Sequence, residues 1–209
     1  MKNLILISAL VLSVVSTVFS QKPDDKVFEG VNLNNKKINN GLLEKLIFLK
    51  INKELMNRRM GQMSFDKTTY RSSEYIGRFI NTYVKERKYL NEDESLDGLT
   101  LKTPQDRLDH FSLEENVNKR KVVQTFIIPC INCSLDEWYG MTYDELSTDF
   151  VNRIFGKLSN EDVVDNYSNS KYMGVSVSFD IEEGYTIRGE GIYKLTISTL
   201  TSTDGTPSI

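Results

Sequence analysis

From Gly41 the chain crowds apolar residues (Leu42, Leu43, Leu46, Ile47, Phe48, Leu49, Ile51) and carries the pattern to Leu55 and Met56, with Lys45, Lys50, Lys53 and Glu54 on a polar side. That spacing predicts a largely buried helix ended by Gly61. After "SFD", Tyr75, Ile76, Phe79, Ile80, Tyr83 and Val84 recur at steps of three and four and predict a second helix near residues 67–88, its aromatic stripe serving core packing. An acidic loop, "NEDESLDGLT" (91–100), follows. Thr103-Pro104-Gln105-Asp106 then supplies an N-cap, a proline at the first helical position and an acid in the first turn, predicting a short helix to about His110.

"KVVQTFII" (121–128) is β-branched and apolar and predicts a strand stopped by Pro129. Thr142 and Glu145 form a capping box for a third long helix, whose Leu146, Phe150, Val151, Ile154, Phe155 and Leu158 make one stripe expected to pack on a sheet. In "YMGVSVSFD" (172–180), Met173, Val175, Val177 and Phe179 alternate with Gly174, Ser176 and Ser178. A turn at Glu182-Glu183-Gly184 and the return "GIYKLTISTL" complete a β-hairpin, and the tail "TSTDGTPSI" (201–209) is expected to fray. No internal repeat is present.

The N-terminus changes the picture. "MKNLILISALVLSVVSTVFS" carries Lys2, an apolar run to about Phe19 and small residues ahead of a polar stretch, the pattern of a secretory signal peptide cut after Ser20. Serines and Thr17 dilute the run, which falls short of the ~20 apolar residues of a spanning helix. No stable membrane span is expected after cleavage, and the destination is outside the cell or a periplasm. Residues 21–40 are rich in Asn, Lys and Asp and read as a flexible leader. The chain carries 26 Lys and Arg against 29 Asp and Glu, a formal charge of −3, without a dense basic patch. Lys119-Arg120-Lys121 is too short a run to neutralise many phosphates and reads as a solvated turn, so nucleic acid is not expected as a partner. One domain of this length buries about 70% of its unfolded surface and needs no disulfide framework.

Four stretches bear a resemblance. "LEKLIFLKINKELMNRRMGQMSFD" (43–66), "TPQDRL" (103–108), "EENV" (114–117) and "YMGVSVSFDIEEGY" (172–185) stand in the order and spacing of a helix ending in an aromatic-Asp element, a Ser/Thr-Pro-x-x-Arg helix start, a Glu-Asn motif and an opening hairpin strand. In these the chain resembles the CAP superfamily of cysteine-rich secretory proteins, venom allergens, pathogenesis-related proteins and bacterial secreted relatives. The resemblance implies an α+β fold, an α-β-α sandwich with a mainly antiparallel central sheet and a C-terminal hairpin, over residues 41–200. It also implies a cleft with two His and two acids, one of them Glu115 by position. "KYLNED" (88–93) and "LSNEDVVDN" (158–166) lack the family's histidines, and Glu114 stands where a small residue is usual.

The chemistry is correspondingly thin. His110 is the only histidine, so a zinc site would need His110, Cys130, Cys133 and an acid such as Glu115; a helix-end histidine is the simpler reading. Ser112 near His110 forms no recognisable nucleophile elbow, and the adjacent pairs Glu114-Glu115 and Glu182-Glu183 tend to diverge, so no positive case for an enzyme emerges. Cys130-Ile131-Asn132-Cys133 is placed like a thiol-disulfide redox motif, but Asp136 and Glu137 disfavour a thiolate, and a local disulfide or two quiet thiols serve as well. Cleft candidates are therefore Glu115, Asn116 and His110, with no metal and no cofactor. The expected function is binding of a protein or of an apolar, lipid-like ligand; the alternative is an exported redox protein using Cys130 and Cys133.

Overall fold

Alternation in the C-terminal strands sets the architecture. Along β3 (Tyr172–Glu182), Met173, Val175 and Val177 are buried on one face and Ser176 and Ser178 on the other; β4 (Ile192–Ser202) buries Leu195 and Ile197 opposite Thr196 and Ser198. The two pair antiparallel from Tyr172 opposite Ser202 to Glu182 opposite Ile192, the hairpin the alternation predicts. β2 (Val122–Ile131) lies antiparallel on the far side of β4, and β1 (Ser64–Phe65) lies parallel to the start of β3, in the order β1-β3-β4-β2. The α+β class stands, but the mainly antiparallel sheet is corrected to a mixed one. β1 enters from a helix and is not tied to β3 by a hairpin, so nothing obliges it to run antiparallel. This computed structural model describes residues 38–83, 99–131, 141–157, 166–182 and 192–203. The expected signal peptide (1–20), nearly all of the expected leader, most of the acidic loop, Cys133, most of the hairpin turn and the last six residues lie outside the described residues.

Helices cover both faces. α1 (Asn40–Asn57) and α4 (Tyr143–Lys157) share the apolar side, where Leu43, Ile47, Ile51 and Leu55 meet Leu146, Phe150 and Ile154 and the sheet's Met173, Val175, Val177, Leu195 and Ile197. α4 packs chiefly alongside α1 rather than on the sheet. On the opposite face lies α2 (Lys67–Tyr83), with α3 (Pro104–Glu114) beside it. That face is made of small polar residues, so α2 sits very close to the strands. A Cβ on Gly174 would lie 2.1 Å from the Tyr70 backbone nitrogen, and one on Gly77 2.8 Å from Ser178 Oγ. Hydrogen bonds fill the interface: Ser198 Oγ donates to Ser73 O (2.6 Å), and Asn81 Nδ2 donates to Ser178 O (2.8 Å) while its Oδ1 accepts from Thr196 Oγ1 (2.6 Å).

The predicted caps form as drawn. Thr103 Oγ1 accepts from Asp106 N while Asp106 Oδ2 accepts from Thr103 N, both at 3.1 Å, and Thr142 and Glu145 exchange the same pair of bonds. Other expectations shift. α1 is capped by Asn39, whose side chain accepts from Leu42 N, and it ends at Asn57, with the left-handed residue being Arg59 (φ 61°) and not Gly61. Leu49 and Met56 are half exposed on α1, so the helix is buried along one stripe only. α3 runs one turn beyond His110, to Glu114. Pro129 does not stop β2, because among the described residues β2 is an edge strand, on which an absent N–H need cost no ladder bond. Thr201 and Ser202 remain in β4 and are buried.

Candidate functional site

The Glu-Asn motif is the exit of α3. Asn116 N donates to Leu113 O and Val117 N to Ser112 O, while Asn116 takes a left-handed φ of 53°; this is a Schellman closure, in which Asn is one of the few residues at ease. Glu115 caps the helix and directs its carboxylate at the first turns of α2, meeting Lys67 Nζ and Arg71 Nη1 at 2.9 Å each. Lys67's hydrogen bond outweighs desolvation and, with Arg71, holds the Glu115 carboxyl below its ordinary range. Arg71 also binds Glu114 at 2.8 Å and lies over the Phe111 ring, so the two adjacent acids share one guanidinium and do not repel unopposed. His110 Nε2 is 3.1 Å from Glu114 Oε1 and its ring packs edge-on to Phe111. The structure thus gathers His110 and Glu115 around Glu114 and Arg71, whereas Asn116 contributes its backbone. The carboxylate that the resemblance would give to a metal is already matched by two cations. Among the described residues no group of three or more His, Cys, Asp or Glu is placed to hold an ion.

Cys130 is disulfide-bonded and 1% exposed, packed in the α1/α4 core; the sequence holds one other cysteine, Cys133, outside the described residues. A redox pair needs an accessible sulfur in an electropositive setting, so this burial gives the redox alternative no support.

Arg120, expected in a solvated turn, is instead nearly buried. It pairs with Asp66, reaches Thr68 Oγ1 and stacks over the Tyr172 ring at 4.0 Å. Burial pushes the Asp66 carboxyl up, but bonds from Thr68, Arg120 and the Thr69 N–H outweigh it and leave it below its usual value. Asp66 thereby caps α2 and terminates β1.

The concave surface lies elsewhere, along the outer edge of β3. β1 pairs only with Tyr172 and Met173, and beyond them α1 and α2 flank the open strand. A groove of 580 Å³ lies there, bounded by Asn40 and Glu44 of α1, Tyr70, Glu74 and Arg78 of α2, and the β3 stretch from Val177 to Asp180. It adjoins a smaller apolar pocket of 370 Å³ between Phe48, Phe65, Tyr70 and Val175. Phe65 sits against both Phe48 and Tyr70, with ring centroids 6.3 and 5.8 Å away, yet is 59% exposed. Glu44 belongs to both hollows. Its Oε1 accepts the Val177 N–H at 2.9 Å and lies 3.5 Å from Tyr70 Oη. Burial raises the Glu44 carboxyl's pKa, an effect the Val177 N–H offsets in part and the charge of Glu74 reinforces. Burial beside these acids pushes the Tyr70 hydroxyl up to about 12. None of these groove residues was singled out from the sequence as a site. The available signal was Glu44 itself, a lone acid inside "LLEKLIFL".

No family model matches the chain, and no curated protein matches it either. Among solved structures, the chain is similar to an extracellular protein containing a SCP domain from Bacillus anthracis str. Ames, at 15% identity and a TM-score of 0.41. The match covers 85% of this chain and 44% of that one, so the chain spans under half the length of that protein.

Proposed function

We propose that this chain is an exported CAP-like (SCP-type) domain that binds a partner or an apolar, lipid-like ligand and does not catalyse a reaction. The observation that carries the reading is the apolar pocket of Phe48, Phe65, Tyr70 and Val175, which leaves a large aromatic ring half in solvent beside a polar groove. Exposed apolar surface that is concave and rimmed by polar groups is characteristic of binding sites. The engagement of Glu115 by Lys67 and Arg71 fits the same reading, because it gives that carboxylate a structural task in place of a catalytic one. Glu114 and Glu115, with His110 beside Glu114 and Asn116 closing the helix end, then act as the brace from α3 to Lys67 and Arg71 of α2.

The test is a fluorescence titration of the processed protein with cis-parinaric acid. Saturable binding is expected, lost in Phe65→Asp, with no hydrolysis of generic ester or peptide substrates. Absence of binding, or turnover of such a substrate, overturns the proposal.

A further inference from the structure

The fold treats the two edges of its sheet differently. At β3 the edge is covered by β1 and by Glu44, which takes the Val177 N–H. At β2, among the described residues, the edge is closed at its start alone. There Gln105 of α3 stands in for a neighbouring strand: its Oε1 accepts the Val122 N–H at 2.9 Å and its Nε2 donates to Arg120 O at 2.8 Å. Because Val177 turns its N–H outward, Ile197 opposite it turns its backbone groups toward β2, where it meets Ile128. Gln124, Phe126 and Ile128 therefore bond to β4, and Thr125, Ile127 and Pro129 turn their backbone groups away from the sheet. Pro129, which has no N–H, falls in the outward set, where a proline inside a strand belongs. Every residue from Val122 to Pro129 is half-buried; Phe126 and Ile128 lean on the main core and Ile127 on the smaller one of Ile76, Ile80 and Leu99. None from Val122 to Ile131 carries a charge, whereas open edges are normally guarded by one.

We infer that β2 is the interface of a homodimer, in which two copies of this chain pair their β2 edges antiparallel about a two-fold axis at Ile127 and join their sheets into one. The Ile127 N–H then meets the carbonyl of the partner's Ile127, and the Thr125 N–H meets the carbonyl of the partner's Pro129, so the proline serves as an acceptor alone. On the face of the main core, Phe126 stands opposite the partner's Ile128. The pairing spans Thr125 to Pro129 and leaves the Gln105 clasp at Val122 in place. Charge favours a second copy as the occupant. At a formal charge of −3 two copies repel, and β2 is a stretch along which contact adds no like charges. A second copy also brings its own helices, which extend both covering layers over side chains that one chain leaves half in solvent. The groove lies at the opposite edge of the sheet, so pairing through β2 leaves it open in both copies.

The test is sedimentation velocity of the chain without residues 1–20 over a concentration series, with amide hydrogen exchange of the same protein at the two ends of the series. A dimer that dissociates on dilution is expected. In it the Thr125 and Ile127 amides exchange about tenfold or more slower than in the monomer, while those of Phe126 and Ile128, already bonded to β4, change much less. Ile127→Lys and Ile127→Glu each abolish the dimer, and an equal mixture of the two restores it, because the axis sets position 127 of one copy against position 127 of the other. Ile127 also packs in the smaller core, so where these variants fail to fold the exchange pattern of the parent decides. A parent that sediments as a monomer up to about 1 mM overturns the inference. So does a dimer whose Thr125 and Ile127 amides exchange as fast as in the monomer, or one that persists in both variants.

Discussion

The carboxylate of Glu44 accepts the backbone N–H of Val177 at 2.9 Å, joining the first turns of α1 to the outer edge of β3. An acid in an apolar helix becomes the latch of a groove, because burial on one side is compensated by an amide that has no strand partner on the other.

That latch titrates. With its pKa raised in the folded state, Glu44 binds a proton more tightly native than unfolded, so its contribution to stability is favourable at low pH and is lost as pH rises above 4.5 through the folded value. Glu44→Gln keeps an acceptor for Val177 and abolishes the titration. Urea midpoints are expected to be higher for this variant than for the parent at neutral pH, the gap closing as pH falls below the ordinary carboxylate range.

Asp66 and Arg120 respond in the opposite sense. The lowered Asp66 pKa means that stability present above its ordinary value of 3.8 is lost as pH falls through the lower folded value. The pair is little exposed, at 12% and 13%, so Arg120→Ala strands an almost buried carboxylate and is expected to cost about 3 kcal/mol in urea unfolding. The variant should also show a weaker acid sensitivity in that range, since the Thr68 and Thr69 bonds to Asp66 remain.

Gly174 sets how near α2 approaches the sheet. A methyl there meets backbone atoms of Thr69 and Tyr70 at under 2.5 Å, and no side-chain rotation relieves the clash. Gly174→Ala should therefore destabilise by about 3 kcal/mol or more. It should also weaken groove binding, because Tyr70, Glu74 and Arg78 move with α2. Equilibrium unfolding and parinaric acid titration on the same preparation check both effects.

The turn at Asn116 offers a finer test. Its φ of 53° is costly for a β-branched residue, so Asn116→Val should lose about 1 to 2 kcal/mol, whereas Asn116→Gly should change stability little. Equal losses from the two, measured by thermal unfolding, would show that the Asn side chain matters and that the closure does not explain the motif.

Signals that depend on neighbours in the chain were legible in the sequence. Thr103 with Asp106 and Thr142 with Glu145 mark helix starts because a cap is a local device, and the alternation of Met173, Val175 and Val177 marks a strand because its period is local too. What escaped depends on topology. Pro129 reads as a strand breaker until β2 is seen to be an edge, and Arg120 reads as solvated until Asp66 and Tyr172 are seen to enclose it. Glu115 was legible as a landmark, but its role was not, since Lys67 and Arg71 lie 48 and 44 residues away. The groove was invisible for the same reason, being assembled from α1, α2 and β3.

The most direct test of the account is an amide chemical-shift map of the isotope-labelled protein without residues 1–20 during titration with cis-parinaric acid. Binding in the hollow beside β3 predicts that the shifts concentrate at Glu44, Phe48, Phe65, Tyr70, Val175 and Val177, with the His110–Asn116 segment left in place. Shifts centred on His110, Glu115 and Asn116 instead, with the β3 edge silent, would contradict it.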